Sequence, residues 1–269
     1  MPVASNNSFS TFCSSFLKYK PSVERPLTIA LVGGGGKTHM LFWLAREFKR
    51  MGHNVCATTT TKMYKPLHSD LDQLCLFSEV APLAKPGISF IYRELIRDCK
   101  TKALRKVKGL SLEQLDALQQ RHQYSVFVVE ADGANRLPLK APAGHEPCIP
   151  YQCDVVIGVT GAESIFKPAC GDFIHRWHEF SLLTDCKDGS VIDEQVLKPL
   201  INHRQGMFKS CLDKHSKIWV INKIDLAVDQ QQLEQLALNI FDNEPLLSMV
   251  ALTQLTAPEP IHRIFNRTP

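Results

Sequence analysis

The residues that most clearly indicate a chemical role are four consecutive glycines followed by a lysine and a threonine. They occupy residues 33–38, directly after the apolar run 27–32. Glycine adopts positive φ readily and lets successive N–H groups approach an anion. A helix beginning at Lys37 would add unpaired N–H groups and the positive end of its dipole. We therefore expect a triphosphate site in which Lys37 reaches the β- and γ-phosphates and the Thr38 hydroxyl ligates Mg²⁺. The predicted nucleotide contacts are Gly33, Gly34, Gly35, Gly36, Lys37 and Thr38.

The loop departs from the usual phosphate-binding pattern at one position. G-x-x-x-x-G-K-[ST] places its first glycine at position 31, where this chain has Leu31. The remaining loop is shorter, a form also seen in some ATP-dependent ligases. The alternative is a glycine-rich turn without a ligand. The agreement of strand, loop, lysine and helix favours phosphate binding, and the helix has its own support in apolar spacing. The residues with that spacing are Leu41, Leu44, Ala45 and Phe48.

A second signal is the apolar run VFVVEADG at 126–133, which ends in two acids. Glu130 and Asp132 alternate with Ala131, so both can point to one side of the strand end. A carboxylate at the tip of a strand beside a phosphate loop holds Mg²⁺ directly or through water. One acid would position Mg²⁺, and the other would orient the attacking water or a substrate. We predict Lys37, Glu130 and Asp132 as catalytic residues, although two acids solvated at a turn would give the same pattern.

A third signal is IWVINKID at 218–225, an apolar strand followed by Asn-Lys-x-Asp. The Asp225 carboxylate can accept two hydrogen bonds from guanine, whereas adenine presents the opposite polarity at that edge. The Lys223 stem can lie along the base, and Asn222 can meet N7 or brace the loop. A loop with a helix-capping aspartate is the alternative. The position after a strand, downstream of the phosphate loop, favours guanine recognition and hence GTP over ATP.

Composition fits a soluble globular protein. The 269 residues are 44% apolar and 22% charged, and a net charge of +4 is too small to indicate nucleic-acid binding. The sequence contains no apolar stretch long enough to span a membrane, and its N-terminus does not resemble a signal peptide. Nine scattered cysteines suit a reducing environment. We expect a cytoplasmic protein that binds neither nucleic acid nor membranes.

Apolar runs that alternate with helical patterns indicate an α/β fold. We predict a three-layer, doubly wound, mainly parallel sheet of the P-loop NTPase type. The expected strands are 27–33, 54–60, 125–130, 154–159, 217–221 and 247–252, with weaker candidates at 74–77 and 88–92. A capping box at Ser111 and Gln114 begins one helix, and another covers about 229–241.

The expected organisation is one domain with an extension at each end. The domain covers 27–257 and contains two elaborated segments, 63–124 and 160–215. Residues 1–26 form an N-terminal extension, and residues 258–269 form an exposed C-terminal tail.

Together these motifs resemble the YqeC-type family of selenium cofactor biosynthesis proteins, over about residues 25–260. The resemblance rests on VGGGGKT, ATTTTKM, VEADGANRLPLKAP, EPCIP, a His-Arg pair and NKID. It implies a cytoplasmic P-loop protein that acts as an accessory factor for selenium-dependent molybdenum hydroxylases. The expected partners are a nucleoside triphosphate and a molybdenum hydroxylase or its cofactor. The E-x-x-G and N-K-x-D motifs also resemble metal-insertion GTPases, from which Leu31 and the short loop depart.

Further substrate contacts are predicted from basic residues in these motifs. Lys62, Arg136, Lys140, His175 and Arg176 are candidates for holding an acidic or phosphorylated substrate. Threonines 58–61 close the second strand, and structural roles are expected for most of them. The basic stretch 97–108 is either a solvated face or a docking site for an acidic partner or a cofactor phosphate.

Three functions follow from this pattern. The first is Mg²⁺-dependent GTP or ATP hydrolysis in cofactor maturation. The second is a nucleotide-switched chaperone that binds a target hydroxylase and turns over slowly. The third is an ATP-dependent ligase or kinase-like transferase acting on a small acid.

Overall fold

A computed structural model describes residues 8–14, 16–80, 83, 85–97 and 105–267. The helices are α1 (Phe9–Ser14), α2 (Lys37–Arg50), α3 (Leu112–Gln119), α4 (Trp177–Thr184), α5 (Glu194–Asn202) and α6 (Gln230–Asn243). The first seven strands are β1 (Leu27–Gly33), β2 (Val55–Thr59), β3 (Lys62–Tyr64), β4 (Gln73–Leu76), β5 (Ile88–Tyr92), β6 (Glu94–Ile96) and β7 (Lys106–Lys108). The others are β8 (Val126–Glu130), β9 (Leu139–Lys140), β10 (Val155–Gly161), β11 (Ile174–His175), β12 (Ser216–Asn222), β13 (Met249–Thr253) and β14 (Ile261–Asn266).

Nine strands form the central sheet in the order β14-β13-β12-β10-β1-β8-β2-β5-β4. Every pairing is parallel except the one between β13 and β14 at the edge. The central strands are buried along their whole length, because helices cover both faces of the sheet. The predicted three-layer α/β fold with a mainly parallel, doubly wound sheet is therefore confirmed.

Alternating residues of β1 show the two covered faces. Ala30 and Val32 pack in the core that contains α5 and α6, whereas Ile29 and Leu31 pack in the core that contains α1 and α2. Helix α3 covers a third, smaller core with alternate residues of β8. It begins with the predicted capping box, in which Ser111 and Gln114 each bond the other's backbone N–H.

The topology brings the three motifs to one edge of the sheet. Strand β1 lies between β8 and β10, and β12 lies beyond β10. Because these strands are parallel, their carboxyl ends meet at the same edge. The glycine loop after β1, the acids at the end of β8 and the Asn-Lys-x-Asp segment after β12 are therefore neighbours.

Both ends of the chain contribute to the core more than predicted. The tail after Pro258 was expected to be exposed, but β14 pairs with β13 and buries Ile261, Ile264 and Phe265. The polar residues His262 and Arg263 interrupt the apolar pattern of this strand in the sequence. In the N-terminal extension, the Phe12 ring packs edge-on against Trp43 of α2, with centroids 5.5 Å apart.

Two smaller sheets lie beside the central sheet and include strands of the elaborated segments. Strands β3, β7 and β6 form an antiparallel sheet, and β9 pairs with β11. Most of the basic stretch 97–108 lies outside the described residues, which resume at Arg105. In the part of the chain described, no helix combines the length and apolar character needed to cross a membrane.

Candidate functional site

The glycine loop is held in a conformation that side chains would disrupt. Gly35 has a φ of 71° and Gly36 a φ of 128°, both outside the range favoured by other residues. A Cβ atom on Gly35 would overlap the backbone of Gly161, and one on Gly36 would overlap the Asn222 amide. The loop therefore needs glycine both for its φ angles and for its close approach to β10 and β12.

Three amides of the loop are already bonded to the protein. Gly33 N–H donates to Asp132 Oδ2 at 3.1 Å. Gly34 N–H donates to a carbonyl of β10 at 2.8 Å, and Gly35 N–H donates to the Leu137 carbonyl at 3.1 Å. The sequence predicts that successive glycine amides approach an anion, but in this structure neighbouring elements supply acceptors to the first three amides.

The amides left open lie one step later, at the start of α2. Among the described residues, no acceptor contacts the N–H groups of Gly36, Lys37 or Thr38. Unpaired N–H groups and the helix dipole make this first turn an anion site. Gly36 is partly exposed and Thr38 exposed, so a ligand can reach them.

Lys37 lies over the loop and forms internal contacts. Its ammonium donates to the Gly33 carbonyl at 2.5 Å and lies 3.1 Å from Asp132 Oδ1. Both side chains are at most 4% exposed. A buried cation and a buried anion stabilise each other here, so a phosphate must compete with Asp132 for the Lys37 ammonium.

Glu130 and Thr38 form the oxygen-rich side of the site. The Thr38 hydroxyl donates to Glu130 Oε2 at 2.9 Å. Burial raises the pKa of Glu130, an effect that Lys37 and the Thr38 hydrogen bond only partly offset. Asp132 Oδ1 is buried and accepts no hydrogen bond in the described structure, although it is ion-paired with Lys37.

The side-chain oxygens of Thr38, Glu130 and Asp132 suit Mg²⁺, a hard cation that prefers oxygen ligands. Within the described ranges, no group of three or more His, Cys, Asp or Glu residues is arranged to hold a metal alone. Mg²⁺ in phosphate sites characteristically takes one or two carboxylates together with phosphate oxygens and water. Thr38, Glu130 and Asp132 therefore fit an ion that arrives with a triphosphate.

A second buried cation lies behind Asp132. Lys140 Nζ is 3.1 Å from Asp132 Oδ2 and 2.8 Å from Glu146 Oε2, and it donates to the Gly133 carbonyl at 2.6 Å. Arg176 Nε contacts Glu146 Oε2 at 3.2 Å. Burial opposes ionisation of Glu146, but the bonds from Lys140 and Arg176 outweigh it and lower its pKa to about 2.

The two-stranded sheet of β9 and β11 brings His175 and Arg176 to this network. β11 pairs with β9 so that His175 lies opposite Lys140. Burial lowers the pKa of His175, and the positive charges of Lys140 and Arg176 lower it further. Arg176 has a φ of 62°, a conformation that is strained for a non-glycine residue, and stands at the N-terminus of α4.

Asn222, the first residue of the Asn-Lys-x-Asp segment, contacts the glycine loop. Asn222 Nδ2 donates to the Gly35 carbonyl at 2.9 Å, and Asn222 Oδ1 accepts from Thr253 and Leu255. Lys223 pairs with Glu163, which follows β10. Asp225 is exposed on the turn Ile224–Leu226.

Two predicted substrate residues lie outside this network. Lys62 is exposed on β3, and the Arg136 guanidinium stacks on the Tyr64 ring at 4.3 Å. No hydrogen bond or ion pair in the described ranges links either residue to the glycine loop. Thr58, Thr59 and Thr60 donate their hydroxyls to backbone carbonyls, which are structural roles.

The site contains two acids, Glu146 and Glu163, that the sequence analysis does not predict as site residues. Glu146 joins Lys140 to Arg176, and Glu163 pairs with Lys223. The motif EPCIP contains Glu146 and was a usable signal. Glu163 has no comparable signal, because its partner lies 60 residues away.

Comparison with known proteins places these motifs in a family. The model of the YqeC family, described as "YqeC protein", matches residues 29–178, which include the glycine loop, the two acids and the His-Arg pair. The chain belongs to the YqeC family. The "Uncharacterized protein YqeC" of Escherichia coli (strain K12) is 36% identical over 218 residues, covering 79% of this chain and 83% of the relative.

FlhF is among the solved structures that are similar to the YqeC-family chain. It was solved in complex with GMPPNP and Mg²⁺, and it matches at 14% identity and a TM-score of 0.44. The match covers 96% of this chain and 78% of FlhF. A likeness this weak assigns no ligand to the YqeC-family chain.

Proposed function

We propose that this YqeC-family protein binds a nucleoside triphosphate with Mg²⁺ and hydrolyses it. The observation that supports this most strongly is the start of α2. There the open amides of Gly36, Lys37 and Thr38 adjoin a buried ammonium and a hydroxyl–carboxylate pair. Amides at a helix N-terminus, a lysine and an oxygen pair for Mg²⁺ are what a phosphate chain requires.

Binding of the phosphates requires the Lys37 ammonium to leave Asp132. The Asp132 carboxylate would then be buried without Lys37, a costly state for a charge without a partner. Lys140, 3.1 Å from the other carboxylate oxygen, still neutralises it. Lys37 is thereby available to neutralise negative charge as the γ-phosphoryl group leaves.

Mg²⁺ would be held by Thr38 and by Glu130 or Asp132. When bound, the ion neutralises phosphate charge and orients the γ-phosphoryl group. The second acid then orients the attacking water by accepting its hydrogen bond. The raised pKa of Glu130 makes its carboxylate a stronger base than that of an exposed glutamate, which suits this role.

GTP is the favoured nucleotide, and ATP is the alternative. Asp225 is exposed and therefore available to a base, and Asn222 of the same motif braces the loop. The Asp225 carboxylate can accept hydrogen bonds from guanine N1–H and the N2 amine. At the same edge of adenine it would instead face an acceptor.

The second substrate would be an anionic group near His175 and Arg176. Arg176 bonds Glu146 through its Nε, and Glu146 also pairs with Lys140, which contacts Asp132. We place the activity in cofactor maturation for selenium-dependent molybdenum hydroxylases, with a hydroxylase or its cofactor as partner, because the YqeC-type motifs resemble that group. The odd number of cysteines favours the reducing cytoplasm.

A nucleotide-switched chaperone is the second candidate. It is favoured by the internal bonding of the loop, in which three glycine amides and Lys37 already have protein partners. A triphosphate must rearrange these contacts, and such rearrangement is how nucleotide switches act. Slow hydrolysis that accelerates only in the presence of a target hydroxylase would distinguish this candidate.

Phosphate release with GTP and with ATP, each with Mg²⁺, tests the proposal. We expect faster release from GTP and at least about a tenfold loss in Lys37→Ala. Asp225→Ala should weaken GTP binding and leave ATP binding unchanged. Equal release by Lys37→Ala would refute the hydrolysis proposal, and equal use of ATP, unaffected by Asp225→Ala, would refute guanine selection.

A further inference from the structure

Five charged side chains form one continuous series of contacts that leads away from the glycine loop. In order they are Lys37, Asp132, Lys140, Glu146 and Arg176, and each contacts the next within 3.2 Å. We call this set the charge chain. Lys37 lies at the phosphate end, and Arg176, whose side chain is 26% exposed, lies at the other end. The three side chains between them are at most 9% exposed, so solvent ions screen their interactions little.

Lys140 is shared unequally by the two acids of the charge chain. Its ammonium donates hydrogen bonds to Glu146 Oε2 at 2.8 Å and to the Gly133 carbonyl at 2.6 Å. It also lies 3.1 Å from Asp132 Oδ2, but in the described structure that contact is an ion pair without hydrogen-bond geometry. An ammonium has three N–H donors, so the third can turn toward Asp132.

Asp132 is held by two cations and one backbone amide. Lys37 lies 3.1 Å from Oδ1, which accepts no hydrogen bond in the part of the chain described. The Gly33 nitrogen and the Lys140 ammonium are each 3.1 Å from Oδ2. If Lys37 moves to a phosphate, Asp132 keeps Lys140 as its one cation among the described residues. A stronger bond to Lys140 would offset the loss of Lys37.

Glu146 can yield part of its bond to Lys140 because it has other donors. The Arg176 Nε donates to the same oxygen, Oε2, at 3.2 Å, and the Ala143 N–H donates to it at 3.4 Å. The lowered pKa of Glu146, about 2, keeps its carboxylate ionised at neutral pH. Glu146 therefore competes with Asp132 for Lys140 as a full negative charge, and Arg176 weakens that competition.

We propose that Glu146 and Arg176 are positioning residues that set the affinity for the triphosphate through Lys140. The inference rests on the proposed function, because it requires the phosphates to take Lys37 from Asp132. Arg176 satisfies Glu146, Lys140 turns to Asp132, and Lys37 is released to the phosphates. Loss of the contact between Arg176 and Glu146, by substitution or by an anion that binds Arg176, would therefore weaken nucleotide binding.

A direct electrostatic effect is the alternative. The Arg176 cation would attract the phosphates and the Glu146 carboxylate would repel them, independently of the contacts that these side chains make. Each substitution would then change the affinity by the same factor with or without the other. The charge chain instead predicts that Arg176 matters only while residue 146 is ionised, because its effect is to satisfy that carboxylate. A double-mutant cycle separates the two explanations.

Calorimetric titration of the full-length protein supplies this cycle. The ligand, given with Mg²⁺, is whichever of the non-hydrolysable guanosine and adenosine triphosphates binds wild type more tightly. We expect Glu146→Gln to tighten binding at least about threefold, because the neutral amide leaves Lys140 to Asp132. Arg176→Gln should weaken binding at least about fivefold. In the Glu146→Gln background, Arg176→Gln should change the affinity less than about twofold.

The direction of the Glu146→Gln effect distinguishes positioning from structural support. A substitution that only damaged the fold would weaken nucleotide binding, whereas the charge chain predicts tighter binding. Arg176→Lys keeps a cation that can bond Glu146, and it should restore the affinity to within about threefold of wild type. Glu259→Gln and Arg204→Gln make the same charge changes at exposed positions, and each should change the affinity less than about twofold.

Two results would overturn this proposal alone. One is unchanged or weaker nucleotide binding in Glu146→Gln. The other is an equal effect of Arg176→Gln with and without Glu146→Gln, as the direct electrostatic effect predicts. In both cases wild type still binds the nucleotide, so the proposed function is unaffected. A wild type that binds neither triphosphate would overturn both proposals.

Discussion

Asn222 donates a hydrogen bond to the Gly35 carbonyl at 2.9 Å, across 187 residues of sequence. The bond ties the segment after β12 to the glycine loop after β1. The same side chain accepts from the Thr253 hydroxyl and the Leu255 N–H, each at 3.2 Å. Because Asn222 is buried, its three bonds fix the loop relative to two neighbouring strands.

Replacing Asn222 with alanine should destabilise the protein. The change leaves a buried carbonyl and two donors without partners, at a cost of about 2–3 kcal/mol in the free energy of unfolding. Urea denaturation monitored by circular dichroism measures this cost. Asp225→Ala, at an exposed position of the same motif, should stay within about 0.5 kcal/mol of wild type. Equal stability of the two variants would contradict the bracing role of Asn222.

The glycine loop should tolerate no side chain at Gly35. Gly35 and Gly52 both have positive φ, 71° and 89°. A Cβ on Gly35 would overlap the Gly161 backbone, whereas nothing lies within 4 Å of one on Gly52. We therefore expect Gly52→Ala to cost about 1 kcal/mol, the conformational term alone, and Gly35→Ala to cost clearly more. Thermal unfolding of the two variants separates crowding from backbone strain, and similar costs would rule out crowding.

The pattern of apolar runs was sufficient to predict most of the central sheet, because strands covered on both faces are continuously apolar. It did not predict β14, whose exposed positions carry His262 and Arg263. Three-residue strands such as β3 and β7 are too short to show a period.

Site residues were predictable where they follow a strand within one motif. The glycine loop, the acids at 130 and 132 and the Asn-Lys-x-Asp segment are of this kind. The Lys140–Glu146–Arg176 network was not predicted as a unit, because its members come from separate loops that meet only in the folded chain. Nor does the sequence show that two backbone carbonyls and the Asp132 carboxylate accept hydrogen bonds from the glycine amides.

Stability in acid should depend on Glu146. Its pKa is lowered from 4.5 to about 2 in the folded protein, so its stabilisation is complete above pH 4.5 and is lost as pH falls toward 2. Glu146→Gln should be less stable than wild type at pH 7, by about 2 kcal/mol, and the difference should shrink by pH 3. Urea unfolding at both pH values measures it. The exposed Glu259→Gln should follow wild type throughout, and a constant deficit in Glu146→Gln would contradict this linkage.

Replacing Glu130 should stabilise the protein and reduce its activity. Burial raises its pKa, so the ionised carboxylate disfavours folding at neutral pH. Glu130→Gln removes the charge and can still accept from the Thr38 hydroxyl. We expect a higher midpoint of thermal unfolding at pH 7.5 without nucleotide, together with at least about a tenfold loss of phosphate release. A lower midpoint would show that the charge stabilises the fold.

The most direct test of the central claim is calorimetric titration with a non-hydrolysable guanosine triphosphate and Mg²⁺. If the start of α2 and Lys37 hold the phosphates, wild type binds one equivalent and Lys37→Ala loses at least about 1.4 kcal/mol, a tenfold change in Kd. Lys62→Ala removes an exposed lysine of the neighbouring sheet and should bind the nucleotide as wild type does. Binding by Lys37→Ala equal to that of wild type, or no binding by wild type, would contradict the account.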